Sequence, residues 1–317
     1  MRLLLIGGTE FVGRHILEQA VAAGHEVTVF HRGVTESSDL PDVEHLHGDR
    51  DGGLGVLEDG RWDAAVDVCG YSPRIVRLSA DVLAKAVDRY CFISSESVYA
   101  DPLPPVVTED ARLATMAAAD GEWGWYGPLK VLCERVVDVI FGERGLVVRP
   151  GYVVGPHDRT DRFTSWVRRS SLGGTMLAPG GGEDTFQFVD ARDLGGFVVG
   201  AVERSASGAF NADGEPMALS AFLATAVRVA GAETRVTWIP EDRVRDRHLE
   251  DLFPMWEGGD SGSVVMDASR ARSAGLANRP IDQTIADTLA WDRERGLPQL
   301  EAGMSPEREA QLLDELG

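Results

Sequence analysis

Cysteine is scarce in this chain. The three present, Cys69, Cys91 and Cys133, lie in apolar runs without the paired spacing of a zinc or redox motif, so no metal site is expected and the thiols read as core residues. Long hydrophobic runs are missing too. None approaches the roughly 18 apolar residues of a membrane span, and the four apolar residues after Met1 and Arg2 are too few for a signal-peptide core. A cytoplasmic protein is expected. Positive charge is also short: 31 Lys and Arg stand against 51 Asp and Glu, a formal net charge of −20. A field of that sign repels nucleic acid and anionic membranes, so the expected partner is a small-molecule substrate. There is no internal repeat and no low-complexity tract.

What is present begins at the N-terminus. Residues Leu3 to Gly13 run from a buried apolar segment into a glycine-dense turn, and Val12, Ile16 and Ala20 then recur at helical spacing up to Gly24. A second apolar strand follows at Val27 to Phe30, so the unit is βαβ. Glycines at such a turn let backbone N–H groups at a helix opening reach a pyrophosphate. Gly7 and Gly13 take the first and third glycine positions of a dinucleotide fingerprint, while Glu10 takes the middle one and is expected to turn outward. The second strand ends in His31-Arg32-Gly33, where NAD-binding versions of this unit commonly carry a carboxylate.

Further strands are expected at Val43 to His47, Ala64 to Cys69, Tyr90 to about Ser94, Leu146 to Arg149 and Ala209 to Asn211. A helix after Pro73 is expected to turn Ile75, Leu78, Val82, Leu83 and Ala86 to the sheet. Another, ending near Phe141, is expected to bury Leu129, Leu132, Cys133, Val136, Val137 and Ile140. The alternation predicts an α/β fold, a Rossmann-type doubly wound parallel sheet with a smaller C-terminal substrate region. Residues 1–155, with 186–212 returning, form the dinucleotide-binding domain; 156–185 and 213–317 form the smaller region. Within the latter, helices are expected near Arg162 to Arg169, Ser220 to Ala230, Ile281 to Arg295 and Ser305 to Leu316. A Gly-rich segment reaches Gly182, Phe186 to Val189 reads as a short strand, and Asp193 to Glu203 reads as a helix.

The strongest chemical signal is Tyr126-Gly127-Pro128-Leu129-Lys130. Residues four apart share a helix face, so phenol and ammonium are expected to point together, away from the face that buries Leu132 and Val136. A phenol working near pH 7 needs its pKa lowered by about 3 units, roughly 4 kcal/mol. A cation about 4 to 5 Å away at an effective dielectric near 20 supplies roughly 3 to 4 kcal/mol.

The Gly7 to Gly13 turn, the run Ser94-Ser95-Glu96-Ser97-Val98-Tyr99, Tyr126 with Lys130, and Val189-Asp190 together resemble the extended short-chain dehydrogenase/reductase family. That family includes the NAD-dependent epimerases and dehydratases. The resemblance implies that Ser95 hydrogen-bonds the reacting oxygen, that Tyr126 is the general acid or base, and that Lys130 also holds the nicotinamide ribose. It places the cofactor against Gly7, Thr9, Glu10, Phe11, Val12, Gly13, His31, Arg32, Asp49, Arg50, Cys69, Gly70, Tyr126, Lys130 and Pro150. Ser95 is preferred to Ser94 because Val98-Tyr99 sets the register; a strand-end hydroxyl capping local backbone is the other reading of that serine. Glu96, Trp125, Tyr152, His157 and Arg162 are candidates for the substrate pocket, with Trp123 and Trp166 near them. Pairing into homodimers through helices beside the site is a further implication.

Three departures shape the expected function. Dehydratases of the family carry two acidic residues after the matching serine or threonine, whereas Glu96 is followed by Ser97. One carboxylate cannot serve as both acid and base at two carbons, so that chemistry is disfavoured, and Glu96 is either solvated or catalytic. Nucleotide-sugar epimerases place Asn three residues after the matching arginine, whereas Arg149 is followed by Pro150, Gly151 and Tyr152, a pattern closer to the ketone-reducing members. Glu10 reshapes the glycine turn. The expected protein transfers hydride between a nicotinamide cofactor and a secondary alcohol or ketone. NADP(H) is favoured by Arg32 and NAD(H) is the alternative. A redox-neutral epimerase and a non-catalytic NAD(P) sensor are the rival readings, the latter opposed by the intact Ser95, Tyr126 and Lys130.

Overall fold

The computed structural model describes residues 1–34, 40–118, 125–259 and 261–316. The chain divides into two compact units, one formed by Met1–Val153, Ala191–Asp213 and Met266–Ala277, the other by Val154–Asp190, Gly214–Val265 and Asn278–Gly317. No helix among the described residues is long and apolar enough to cross a membrane.

The first unit is built on a seven-stranded parallel sheet. Its early elements are β1 (Arg2–Ile6), α1 (Phe11–Ala22), β2 (Glu26–His31), β3 (Glu44–His47), β4 (Trp62–Asp67), α2 (Pro73–Leu83), β5 (Val87–Ile93) and α3 (Tyr126–Phe141). The sheet order is strand Gly208–Ala212, strand Gly145–Pro150, β5, β4, β1, β2, β3. The chain starts in the middle, runs outward through β2 and β3, and returns beside β1 to run outward the other way. Strand order therefore reverses between β1 and β4, where an open parallel sheet leaves a crevice beyond its carboxyl ends.

Period-two alternation divides the strand residues between two faces. Leu4, Ile6, Phe30, Ala65, Tyr90 and Phe92 form one core cluster with Val76, Ala80 and Leu83 of α2 and with Cys133, Val137 and Phe141 of α3. Leu3, Leu5, Val27 and Val66 line the opposite face with Ile16 and Ala20 of α1 and with Val199 and Val202 of helix Ala191–Glu203. That helix comes close to α1: a Cβ on Gly195 would sit 2.9 Å from the His15 carbonyl oxygen.

Several expectations need correction. The strand expected at 64–69 is β4, two residues earlier, because its pairing with β1 stops at Asp67 and Val68 continues only as a single backbone bond to Ile6. In α2 the buried residues are Val76, Ser79, Ala80 and Leu83, while Leu78 is exposed. The reason is polar: Ser79 Oγ receives a 2.7 Å bond from Arg50, which turns the small residues of the helix inward. Phe186 to Val189 is not one strand, since Thr185–Phe186 and Val189–Asp190 are separate short strands.

The second unit packs helix Arg162–Ser170 with Leu219–Ala230 and Ile281–Glu294. Its aromatic centre is Phe163, Phe186, Phe188 and Phe222, with neighbouring ring centroids 4.6 to 6.0 Å apart. A parallel strand pair joins Gly174–Pro179 to Thr234–Ile239. The first of these lies inside the Gly-rich segment, which carries no strand signal in sequence. Buried Asp292 takes both oxygens of its carboxylate to Arg168 at 2.5 and 2.6 Å and also accepts from Arg295. Ser305 caps the last helix through Arg308 N–H at 3.2 Å, as Ser followed by Pro predicts.

Candidate active site

The glycine turn after β1 is shaped by three glycines. Gly7 and Gly8 have φ of +93° and +101°, and a Cβ on Gly13 would lie 2.5 Å from Gly8 Cα, so the helix opening rests directly on the turn. Gly8 was not singled out in the sequence, although it stands next to Gly7. Thr9, Phe11 and Val12 are half-buried on this turn, and Glu10 is exposed as expected. The Glu10 side chain makes no cap hydrogen bond to the first turn of α1, and a helix N-terminus is where backbone N–H groups meet a ligand anion.

At the far end of β2, His31 Nε2 is 2.8 Å from His45 Nδ1, and His31 Nδ1 accepts from the Gly33 N–H at 3.2 Å. Arg32 beside it is exposed. Asp49 is exposed after β3, where its Oδ1 accepts from the Asp51 N–H. Arg50 does something else. Its guanidinium is buried and forks onto Asp67, Nη1 to Oδ1 at 2.9 Å and Nη2 to Oδ2 at 2.6 Å, and Tyr90 donates to the same carboxylate at 2.8 Å. Both terminal nitrogens of Arg50, expected at the cofactor, are engaged inside the unit. Cys69 and Gly70 lie at the end of β4, where a Cβ on Gly7 would meet Cys69 Sγ at 3.4 Å.

The proton-transfer candidates lie at the next strand end. Ser94 is buried and its hydroxyl donates to Glu134 at 2.5 Å; Ser95 is half-buried. The Ser95 hydroxyl donates to Ser97 Oγ at 3.1 Å. Its Oγ also accepts from the Ser97 N–H at 3.2 Å and so caps the short turn Glu96–Val98. Tyr126, half-buried, is the first residue of α3. Gly127 brings that first turn against the loop, since a Cβ there would be 1.9 Å from the Ser97 carbonyl oxygen.

Lys130 is only 2% exposed, while Leu132 and Val136, expected to be buried, are half-buried, so the face that carries Lys130 is itself turned inward. Two carbonyls draw Lys130 inward. Nζ donates to Ile93 O at 2.7 Å and to Gly70 O at 3.0 Å, across the ends of β5 and β4, with the Phe92 ring centroid 4.3 Å away. Burial lowers its pKa to about 8, while Asp67, Cys133, Glu134 and Cys69 act in the opposite direction. Tyr71, 60% exposed, was not foreseen; its ring centroid lies 6.5 Å from that of Tyr126 and 5.5 Å from the ammonium.

Of the substrate candidates, Glu96 is half-buried and shares its surroundings with Asp213. A Cβ on Gly151 would be 2.8 Å from Glu96 Oε2 and 2.1 Å from Asp213 Oδ2. No spacing rule joins residues 96 and 213 in the sequence. Trp125 is half-exposed just before α3, Tyr152 is half-buried, and Pro150 is buried at the end of its strand. These residues belong to the first unit. His157 and Arg162 belong to the second, where His157 lies 5.6 Å from the Trp291 ring and Arg162 Nε donates to Thr160. Trp166, also in the second unit, is buried and donates to Pro254 O. Trp123 lies outside the described residues.

Residues 69–212 match the NAD dependent epimerase/dehydratase family. That segment is similar to the family and makes up less than half of the chain. The match contains Ser95, Tyr126, Lys130, Arg149 and Pro150, while the glycine turn precedes it. Among curated proteins the chain is 25% identical over 252 residues to the chloroplast stem-loop binding protein of 41 kDa b of Arabidopsis thaliana, covering 73% of this chain and 63% of that protein, less than two thirds of its length. It is 26% identical over 257 residues to a 3-diazoavenalumate denitrifying reductase of Streptomyces, covering 73% of this chain and 82% of the reductase. Among solved structures, the UDP-glucuronic acid 4-epimerase of Bacillus cereus in complex with NAD superposes with a TM-score of 0.69 at 15% identity, covering 93% of this chain and 99% of that one. This last likeness is one of fold.

Proposed function

We propose that the chain is a nicotinamide-dependent enzyme that transfers hydride between NADP(H) or NAD(H) and a secondary alcohol or ketone of a small molecule. The observation that carries this reading is Lys130: a buried ammonium, held on the carbonyls of Ile93 and Gly70, one helical turn from Tyr126. With a pKa of about 8 it is still mostly charged at pH 7, and the low-dielectric surroundings strengthen its pull on a nearby phenolate.

The glycine turn fits a dinucleotide. A Cβ on Gly7 would meet Val68 and Cys69, and the start of α1 offers N–H groups to a pyrophosphate. Bound there, the nicotinamide supplies or takes up the hydride. The work left to the protein is to orient an oxygen and to move one proton. Ser95 Oγ donates to the substrate oxygen and holds it near Tyr126. In reduction, as the carbonyl carbon gains hydride, the oxygen takes the proton of Tyr126 OH, and the phenolate that remains is stabilised by Lys130 until solvent reprotonates it. Oxidation runs the same steps in reverse.

Reduction is favoured over epimerisation by Arg149-Pro150-Gly151-Tyr152, and the reductase relative agrees with it. The epimerase neighbour keeps redox-neutral turnover as the second reading. The test is to analyse any nucleotide released from the purified protein on denaturation, then to follow absorbance at the reduced-nicotinamide band with a panel of ketones and of nucleotide sugars. A reductase consumes NADPH stoichiometrically, and Tyr126→Phe lowers its rate roughly 10²-fold or more. Epimerised sugar with retained NAD and no net absorbance change would replace reduction by the second reading. Full turnover by Tyr126→Phe would remove the proposed mechanism altogether.

A further inference from the structure

Two consecutive residues at the end of β5 are tied to two consecutive turns of α3. The Ile93 carbonyl receives Lys130 Nζ at 2.7 Å, and the Ser94 hydroxyl donates to Glu134 Oε1 at 2.5 Å. Lys130 and Glu134 are four apart and both buried, so they form adjacent rungs on the same helix face. Glu134 is itself held from behind. Arg149 meets it with a planar fork, Nε to Oε1 at 3.0 Å and Nη2 to Oε2 at 2.7 Å. Arg149 Nη1 then donates to Tyr99 OH at 3.0 Å, and Tyr99 donates to Asn211 Oδ1 at 2.5 Å. The chain of bonds reaches back to strands Gly145–Pro150 and Gly208–Ala212, so the carboxylate cannot shift without disturbing three strands. Ser94 and Glu134 are buried, whereas Ser95 and Tyr126 are half-buried.

We propose that Ser94 and Glu134 form a positioning clamp that fixes the end of β5, and with it Ser95 and the Ile93 carbonyl, against the turn of α3 that carries Tyr126 and Lys130. This rests on the hydride-transfer reading for its purpose. Its geometry does not depend on that reading. Without the Ser94 hydroxyl the strand end loses its link to Glu134 and keeps the backbone bond from Ser94 N–H to Val148 O, so the Ile93 carbonyl is held to the sheet but no longer to the Glu134 turn of α3. An ammonium that loses a carbonyl acceptor in a buried site becomes a weaker base. The clamp is thus visible at Lys130 without any substrate.

The chain makes the experiment direct, because Lys130 is one of only two lysines and the other, Lys85, is exposed. Protein grown with [ε-13C]lysine gives two NMR signals whose shifts report protonation. Five groups besides Ser94 and Glu134 act on the Lys130 charge, namely Asp67, Cys133, Cys69 and the Gly70 and Ile93 carbonyls, and none of these residues is substituted in the variants. Ser94→Ala should lower the Lys130 midpoint by about half a pH unit or more, Ser94→Thr should restore it, and Lys85 should not move. Glu134→Gln should lower it further by removing a negative charge as well. That variant leaves Arg149 poorly paired, and if it does not fold the milder Ser94→Ala carries the test. A Ser94→Ala protein that unfolds at lower temperature yet keeps the wild-type Lys130 midpoint would reduce the pair to a structural bond and overturn the clamp. Failure of Tyr126→Phe to lose turnover would instead overturn the hydride-transfer reading and leave this titration as it is.

Discussion

A Cβ added to Gly127 would sit 1.9 Å from the main-chain oxygen of Ser97, so the first turn of α3 lies directly on the loop that leaves β5. Tyr126 precedes Gly127 by one residue and Ser95 precedes Ser97 by two, so the contact links the segments that carry the two hydroxyls. Gly127→Ala must push helix and loop apart, since the atom it meets is backbone. The expected cost is about 1 to 3 kcal/mol, the usual range for overpacking a tight contact. Urea unfolding of the two proteins measures it. Equal stability would mean that the turn can move at no cost and that the contact does not set the spacing of Ser95 and Tyr126.

Much of this arrangement is legible in the sequence, and the boundary of what is legible has physical causes. The turn after β1 can be read because a continuous buried strand running into glycines and then into helical periodicity admits few other structures. Tyr126 and Lys130 can be recognised by spacing, but spacing fixes only that they share a face, not which way the face turns. The carbonyls of Gly70 and Ile93 decide that, and they come from strands that no local pattern connects to α3. Arg50 illustrates the same limit, since its partner Asp67 is 17 residues away on another strand. The strand Gly174–Pro179 is hidden for a different reason: glycines with φ of +75° and +71° at 173 and 174 introduce it, and its partner begins at Thr234.

Buried Lys130 should make stability rise with pH. In the unfolded chain a lysine holds its proton to about pH 10.4, whereas the folded protein releases it near pH 8. Between those values the unfolded state binds more protons, so folding becomes more favourable as pH increases, by on the order of 3 kcal/mol at most. Cys133 acts against this, because burial pushes its thiol up to about 11 and stability is lost where only the unfolded thiol ionises. The difference between wild type and Lys130→Met separates the two. Denaturation measured from pH 7 to 10.5 should show wild type gaining on the variant, and parallel curves would mean that Lys130 is charged throughout.

The Arg50–Asp67 pair predicts a stability effect with no cofactor signature. Asp67 is fully buried and takes both Arg50 bonds, the Tyr90 hydroxyl and the Cys69 N–H. Arg50→Ala leaves that carboxylate without its cation, a change that costs about 3 to 5 kcal/mol in buried pairs. Arg50→Lys should recover only a fraction, because an ammonium cannot reproduce the two-pronged contact. The ratio of NADPH to NADH affinity in the protein that remains folded should stay at the wild-type value. A change in that ratio would return Arg50 to the cofactor.

Cofactor choice is expected to rest on Arg32. The end of β2 meets the adenosine ribose in dinucleotide-binding sheets, and an Asp there would accept from both hydroxyls and repel a 2′-phosphate. This chain offers His31 instead, whose ring is held by Gly33 N–H on one side and His45 on the other, and then an exposed guanidinium. His31 and Arg32 themselves bring no negative charge to the strand end, and the Arg32 fork can take two oxygens of a phosphate. A charge-assisted bond of this kind is worth about 1.5 to 3 kcal/mol, on the order of tenfold to a hundredfold in affinity. Fluorescence titration of NADPH and NADH into wild type and Arg32→Ala tests it. The substitution should weaken NADPH by about tenfold or more and leave NADH almost unchanged, because only NADPH carries the charge that Arg32 would meet. Equal losses for both would place the guanidinium on the adenine ring that the two cofactors share.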